Sequence, residues 1–148
     1  MRLSGFDISA SGLTAQRMRM DVVASNIANS EVTRGKLVNG KWVPYQRKLV
    51  VMETKEMSPF EQKLNQALNS HTEQGVKVSK IVGDQTPFKK VYNPTHPDAD
   101  EQGYVLMPNV DTLKEMVDLI AASRSYEANV TALNASKAMY MKALEIGR

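Results

Sequence analysis

The chain has 148 residues, a length that fits one domain, with 19 basic and 16 acidic side chains and a net charge of +3. The excess lies in the first 50 residues, which hold 8 basic and 3 acidic side chains. That is too dispersed for the basic stripe that nucleic acid demands and too mixed for an acidic disordered tail. With no cysteine, a disulfide framework, a thiolate zinc site and a cysteine nucleophile are excluded, and His71 and His96 stand too far apart for a histidine-rich metal cage.

The N-terminus, Met1 to Asp7, has no apolar core of the kind a cleaved signal carries. If the protein leaves the cytoplasm, the ordinary secretion route is not what takes it out. From Phe6 to Asn29 there is no proline, and Leu13, Met20 and Ile27 recur every seven residues, with Ala10, Val23 and Ala24 on or beside that stripe. This is helical periodicity. Asn29 and Ser30, followed by Glu31 to Gly35, read as the end of the helix in a polar loop.

The middle reads as strand. Leu37 to Trp42 contains Asn39-Gly40, which supplies the two positive-φ positions of a tight hairpin turn. Pro44 to Met52 continues as a strand with proline near its start, and Leu49 to Met52 is the longest aliphatic run, far too short for a membrane span. Ser58-Pro59-Phe60-Glu61 combines a cap, proline at the first helical position and a glutamate behind it, opening a short amphipathic helix with Phe60, Leu64, Ala67 and Leu68 on one face and an end near Asn69-Ser70. Val76 to Val82 alternates apolar and polar as a half-buried strand does, and Gly103 to Met107 is a further short strand closed by Pro108.

The C-terminal segment is the strongest element. Asp111 or Thr112 can cap it, Thr112 and Glu115 have capping-box spacing, and no proline or glycine occurs from Thr112 to Ile146. At 1.5 Å per residue this is a helix of roughly 50 Å. Its stripe runs Met116, Ile120, Ser123, Tyr126, Val130, Leu133, Tyr140 and Leu144, interrupted by Lys137, and Gly147 stands where a helix stops. The expected fold class is therefore α+β. Long N- and C-terminal helices pair as a coiled-coil-like domain (1–30 plus 110–148), and a small β-rich middle domain (31–109) lies between them.

Three patterns have spacings that could carry chemistry. Asp98, Asp100, Gln102 and Gly103 have the opening spacing of a calcium loop, but the twelfth position is Asn109 instead of a bidentate glutamate, and Pro94 and Pro97 forbid a preceding helix. A polar turn is the better reading. His96 beside Asp98 and Asp100 lacks a nucleophile or second histidine, and Ser123 to Glu127 fits a seam between helices better than a phosphosite. No catalytic residue, metal ligand or cofactor is expected.

The stripes are instead rich in small and amide residues: Ala24, Asn26 and Asn29 on the first helix, Asn129, Asn134, Ala135 and Ser136 on the second. Such residues permit close approach and specify register at a cost in stability. A stripe with so few leucines returns little against the entropy of ordering some 25 residues. The helices are therefore expected to need other copies or other chains with similar helices.

Ser11-Gly12-Leu13-Thr14-Ala15-Gln16-Arg17, running into Asp21 through Asn29 with its Ala-Ser-Asn-Ile-Ala-Asn ending, resembles the N-terminal signature of the flagellar rod, hook and hook-associated proteins. Pro87 to Pro94, His96 to Val105, Met107 to Asp111, Glu115 to Ile120, Ala122 to Asn129 and Lys142 to Gly147 narrow the likeness to the proximal rod subunits, while residues 54–74 stand as a variable insertion. The resemblance implies a structural subunit of the flagellar basal-body rod, not an enzyme. It would polymerise through its terminal helices into part of the drive shaft that transmits torque to hook and filament, and so be required for motility. It also implies a basal-body location, reached through the flagellar type III export apparatus without a cleaved signal. The implied partners are further copies, other proximal and distal rod subunits and the membrane-ring adaptor protein, with no nucleic acid and no membrane span.

The candidate assembly residues are Leu13, Met20, Val23, Asn26, Ile27 and Asn29 on the first helix. On the second they are Met116, Ile120, Arg124, Tyr126, Asn129, Val130, Leu133 and Leu144. Two other readings compete. A wall hydrolase would need opposed carboxylates, which the single loop Asp98-Asp100-Glu101 does not offer, and a generic coiled-coil adaptor would differ in its choice of partner.

Overall fold

The computed structural model describes residues 4–38, 40–56, 59–67 and 74–146. Among them the order is α1 (Ser4–Ala28), β1 (Lys36–Val38), β2 (Lys41–Val43), β3 (Lys48–Thr54), α2 (Pro59–Ala67), β4 (Val76–Gly83), β5 (Lys89–Tyr92), β6 (Tyr104–Met107) and α3 (Thr112–Ile146). The architecture is α+β, with two long helices that pack on each other and short paired strands in between, as the periodicities imply.

The helix α3 occupies the proline- and glycine-free run from end to end. Asp111 caps it, its Oδ1 accepting the Leu113 N–H at 3.1 Å. The Thr112–Glu115 capping box does not form. Asp111 already serves the first turn, and the Glu115 carboxylate is drawn inward to Arg47 and Asn26.

The strands form three two-stranded ribbons, β1–β2, β3–β4 and β5–β6. In the first, Leu37 pairs with Trp42 and Val38 with Lys41. This leaves a two-residue turn in which Gly40 has φ +78°; the Asn39 half of the expected turn lies outside the described residues. The third strand begins at Lys48, not at Pro44. The Tyr45 N–H is taken by the Val32 carbonyl at 3.0 Å, and the Arg47 N–H by the Asn109 side chain at 2.8 Å. These bonds replace the ladder that Pro44–Arg47 would otherwise make. The strand β5 was not anticipated, and it pairs with β6 through Val91–Val105 and Tyr92–Tyr104. The helix α2 starts at Pro59 as expected, with Phe60 73% exposed; Ser58, Leu68 and the expected end at Asn69-Ser70 lie outside the described residues.

Two compact units divide the chain, one from residues 1–18, 51–80 and 121–148, the other from 19–50 and 81–120. In the first, α1 and α3 run antiparallel at close range. A Cβ on Gly5 would lie 3.8 Å from Ser136 Oγ, and one on Gly12 only 3.0 Å from Asn129 Oδ1. Seven residues forward on α1 thus match seven residues back on α3, the repeat of a coiled-coil seam. The Phe6 and Tyr140 rings stack 5.3 Å apart, Ala15 and Ala122 are fully buried, and the Val76 N–H donates to Ser11 Oγ at 3.1 Å.

The second unit holds Val22, Val23, Val105 and Val110 in its core, with Arg19 and Asp118 joining the helices at 3.0 Å. The largest fully buried side chains described in the chain are Glu115, Asn26 and Pro108. Two of the three are polar, so the interior must be satisfied by hydrogen bonds as well as packed.

Candidate functional site

Asn26, near the C-terminal end of α1, makes four hydrogen bonds within the second unit. Its Nδ2 donates to the Lys48 carbonyl and to Glu115 Oε2, both at 2.9 Å. Its Oδ1 accepts the Lys48 N–H at 2.9 Å and the Tyr45 hydroxyl at 3.0 Å. Every donor and acceptor of the amide is used, which is the only state in which burying it is inexpensive.

The remaining Glu115 oxygen takes Arg47, from Nε at 2.7 Å and from the terminal nitrogen at 2.6 Å. Arg47 also reaches Asp84 Oδ2 at 3.3 Å. Burial opposes the charge on Arg47, but Glu115 and then Asp84 outweigh it and hold the guanidinium above its ordinary pKa. Asp84 is held below the usual carboxylate range, first by the Thr86 N–H and, against the opposing effect of burial, by Arg47. Asn109 completes the cluster, accepting from the Arg47 N–H and donating to the Asp84 carbonyl at 3.2 Å and to Thr86 Oγ1 at 2.9 Å. The end of α1, the start of β3, the turn after β4 and the first turn of α3 are thereby tied at one buried polar joint.

The candidate assembly residues divide by exposure. On α1, Val23 and Asn26 are buried, and Leu13, Met20, Ile27 and Asn29 are half-buried; Asn29 donates to the Ser25 carbonyl at 2.8 Å. On α3, Tyr126, Asn129, Val130 and Leu133 are half-buried, whereas Met116, Ile120 and Leu144 are exposed, as is Arg124 in its pair with Glu127. The inward seam of α3 runs Glu115, Leu119, Ala122, Tyr126, Asn129, Leu133, Ser136 and Tyr140 at alternating steps of four and three. The stripe read from hydrophobicity meets it at Tyr126, Leu133 and Tyr140, runs beside it at the half-buried Ser123 and Val130, and departs to exposed positions at Met116, Ile120 and Leu144. Outside the seam, Leu113, Met116, Val117 and Ile120 form a second, open face.

Tyr45, Arg47, Asp84, Asn109 and Glu115 were not anticipated as a cluster. Arg47 and Glu115 are 68 residues apart, so no short-range pattern could pair them. The one available signal was an arginine at the head of a strongly apolar strand.

In the acidic loop, Asp98 is bound by Arg34 at 2.6 Å and by the Thr33 hydroxyl at 2.8 Å. Arg34, then Thr33, then His96 hold its carboxyl below the usual range. Among the described residues no cluster of three metal-ligating side chains occurs, and no helix is long and apolar enough to cross a membrane.

The flagella basal body rod protein family matches residues 6–35, and the flagellar basal body rod FlgEFG protein C-terminal family matches residues 101–146. The chain is 59% identical over 144 residues to the flagellar basal-body rod protein FlgC of Bacillus subtilis, covering 96% of this chain and 95% of that one. It is 44% identical to the FlgC protein of Escherichia coli O6:H1 (99% and 98% covered) and 41% identical to that of Borreliella burgdorferi (97% and 95% covered).

Proposed function

The chain belongs to the FlgC family of flagellar basal-body rod proteins, and on that premise we propose that it polymerises through its terminal helices into the proximal rod, carries torque towards hook and filament, and is required for motility. It is a structural subunit. Its partners are further copies, other proximal and distal rod subunits and the membrane-ring adaptor protein, and it reaches the basal body through the flagellar type III export apparatus.

The observation that carries this reading is the open face of α3. Leu113, Met116, Val117 and Ile120 occupy successive turns at helical spacing and are 74%, 50%, 67% and 62% exposed. A contiguous row of this kind marks a surface meant to be covered. Fully burying four such side chains would contribute roughly 6–12 kcal/mol before association costs. The buried joint at Asn26 and Glu115 supports the same reading, because it holds the root of this face rigid while the face itself stays free.

Val117→Asp with Ile120→Asp tests the reading. Neither side chain is needed for the fold, so the purified variant should keep the circular dichroism and melting temperature of the parent. In cells it should be exported and yet be absent from isolated basal bodies, and the cells should not swim. Normal swimming with the variant present in the rod would overturn the proposal.

The enzyme reading has less support. Asp98, which a hydrolase would need free, is tied to Arg34 and Thr33.

A further inference from the structure

Charge is unevenly distributed along the sequence of the second unit. From Val32 to Met52 the chain carries Arg34, Lys36, Lys41, Arg47 and Lys48 and no acid. From Val91 to Leu113 it carries Asp98, Asp100, Glu101 and Asp111 and no lysine or arginine, with His96 beside Asp98 and Lys90 and Lys114 just outside the stretch. The β1–β2 hairpin lies within the basic stretch. Its register puts Leu37 and Trp42 on one face and Lys36, Val38, Lys41 and Val43 on the other.

Trp42 lines a small hollow with Asp98, Asp100 and Leu106. The opposite face of the hairpin opens on a groove of about 530 Å³, lined by Lys36, Val38, Val43, Lys48, Ile81 and Phe88 among others. That volume lies in the range of pockets that enclose a small ligand or a pair of side chains, about 300–1,000 Å³. Its walls are mostly apolar with Gln46 and Tyr45 among them, the charges on its rim are both lysines, and no described carboxylate pairs with Lys36 or Lys48. An occupant must therefore bring hydrocarbon and negative charge together.

The acidic side of the same unit presents that combination. Asp100 and Glu101 are exposed, and beside them Tyr92 and Tyr104 meet edge to face at 5.3 Å while remaining 64% and 43% exposed. Gly103, at φ +78°, makes the turn that brings this tip against Tyr92, where a Cβ would lie 3.0 Å from the ring. We propose that the groove of one chain receives the tip Asp100–Tyr104, with Tyr92, of a second copy.

A chain cannot fill its own groove this way, because its tip lies on the other face of the hairpin. Donor and acceptor surfaces differ, so the contact is head to tail. It repeats from copy to copy instead of closing as a two-fold dimer. This rests on the rod reading only in requiring that copies meet. It adds which surfaces meet, and it involves no part of the α3 face.

The absence of cysteine makes the test clean. Full-length chains carrying Gln102→Cys or Ile81→Cys are purified, mixed at high concentration and oxidised with diamide. The expected product is a disulfide between the two kinds of chain, several-fold above that formed by either with a Thr131→Cys control. It should fall several-fold when Lys36→Glu and Lys48→Glu are added to the groove chain, and recover when the tip chain carries Asp100→Lys and Glu101→Lys.

Three outcomes would overturn the proposal: yield no greater than the control, yield indifferent to the charge changes, or a double-cysteine chain that closes on itself as a monomer. Incorporation of the parent chain into basal bodies is scored separately, so failure of this contact and failure of the rod reading are told apart.

Discussion

Asn26 treats Lys48 as a neighbouring strand would, giving its amide N–H to the Lys48 carbonyl and taking the Lys48 N–H on its amide oxygen, each at 2.9 Å. A side chain on a helix thus starts the β3 ladder, and its other two bonds reach Tyr45 and Glu115. The asparagine of the Ala-Ser-Asn-Ile-Ala-Asn element is, within this chain, the place where helix becomes sheet.

Asn26→Ala should therefore be costly beyond the lost contacts. It strands two partly buried backbone groups of Lys48 and one buried oxygen of Glu115, where an unmet group costs about 1–3 kcal/mol when fully buried. A loss of roughly 3 kcal/mol or more in urea unfolding is expected, and Asn26→Asp should be at least as damaging because it sets a second carboxylate beside Glu115. A loss under about 1 kcal/mol for the alanine variant would show that water replaces the amide.

Glu115 and Arg47 form a buried pair, and breaking one side should cost more than removing both. Glu115→Leu leaves Arg47 with only Asp84 and the distant Asp118, 3.3 and 3.8 Å away, and is expected to destabilise by about 3–5 kcal/mol. The double variant Glu115→Leu with Arg47→Leu should recover part of that. Additive losses in the double-mutant cycle would mean that the pair is not coupled.

Gly12→Ala is expected to weaken the fold although alanine is the better helix former by about 1 kcal/mol. The new methyl group meets the Asn129 side chain at 3.0–3.2 Å, and Asn129 is held by its own bond to the Ser125 carbonyl at 2.9 Å. Gly12→Ala combined with Asn129→Ala removes the obstacle and should melt above the single variant. If the single variant already melts above the parent, Asn129 moves aside freely and the seam is looser than its geometry suggests.

Gln16 buries its Oε1 with no partner among the described residues. Gln16→Met keeps the length and removes the unmet acceptor, so it should raise stability by about 1 kcal/mol. An unchanged or lower melting temperature would indicate that the oxygen is hydrated in solution.

The pH dependence follows from Asp84 and Asp98, both held below the usual carboxylate range in the folded chain. A carboxyl depressed in the folded state contributes stability that is fully present above its unfolded pKa, about 3.9, and is lost as pH falls through the lower folded value. The melting temperature should be level from neutral pH to about 5 and fall below about 4. Asp98→Asn should make that acid limb shallower, and an identical limb in both chains would assign acid unfolding to other groups.

Much of the secondary structure was legible from the residues. The extents of α1, β4 and α3 follow from proline and glycine spacing and from apolar periodicity, and the hairpin follows from Asn39-Gly40. The face of α3 that turns inward was not legible, because hydrophobicity points to Met116 and Ile120 whereas the helix buries Glu115 and Ala122 and half-buries Leu119. Periodicity assumes that inward means apolar, and here partners 89 and 68 residues away make a buried glutamate acceptable. The start of β3 was misjudged for a related reason. The backbone N–H groups of Tyr45 and Arg47, just before it, are satisfied by Val32 and Asn109 and not by a ladder. The strand β5 went unread because four exposed residues carry no burial pattern.

A polar interior also bears on heat. Exposing hydrocarbon raises the heat capacity of the unfolded chain, and exposing polar groups lowers it. With Glu115 and Asn26 the largest fully buried side chains among the described residues, beside a core of valines and alanines, unfolding wets carboxylate and amide together with small aliphatic groups. The heat-capacity step should fall below the usual figure of about 12–15 cal/mol/K per residue, and the curve of stability against temperature should be correspondingly shallow. The fold then keeps a nearly level margin through cooling and warming alike, rather than peaking sharply at one temperature.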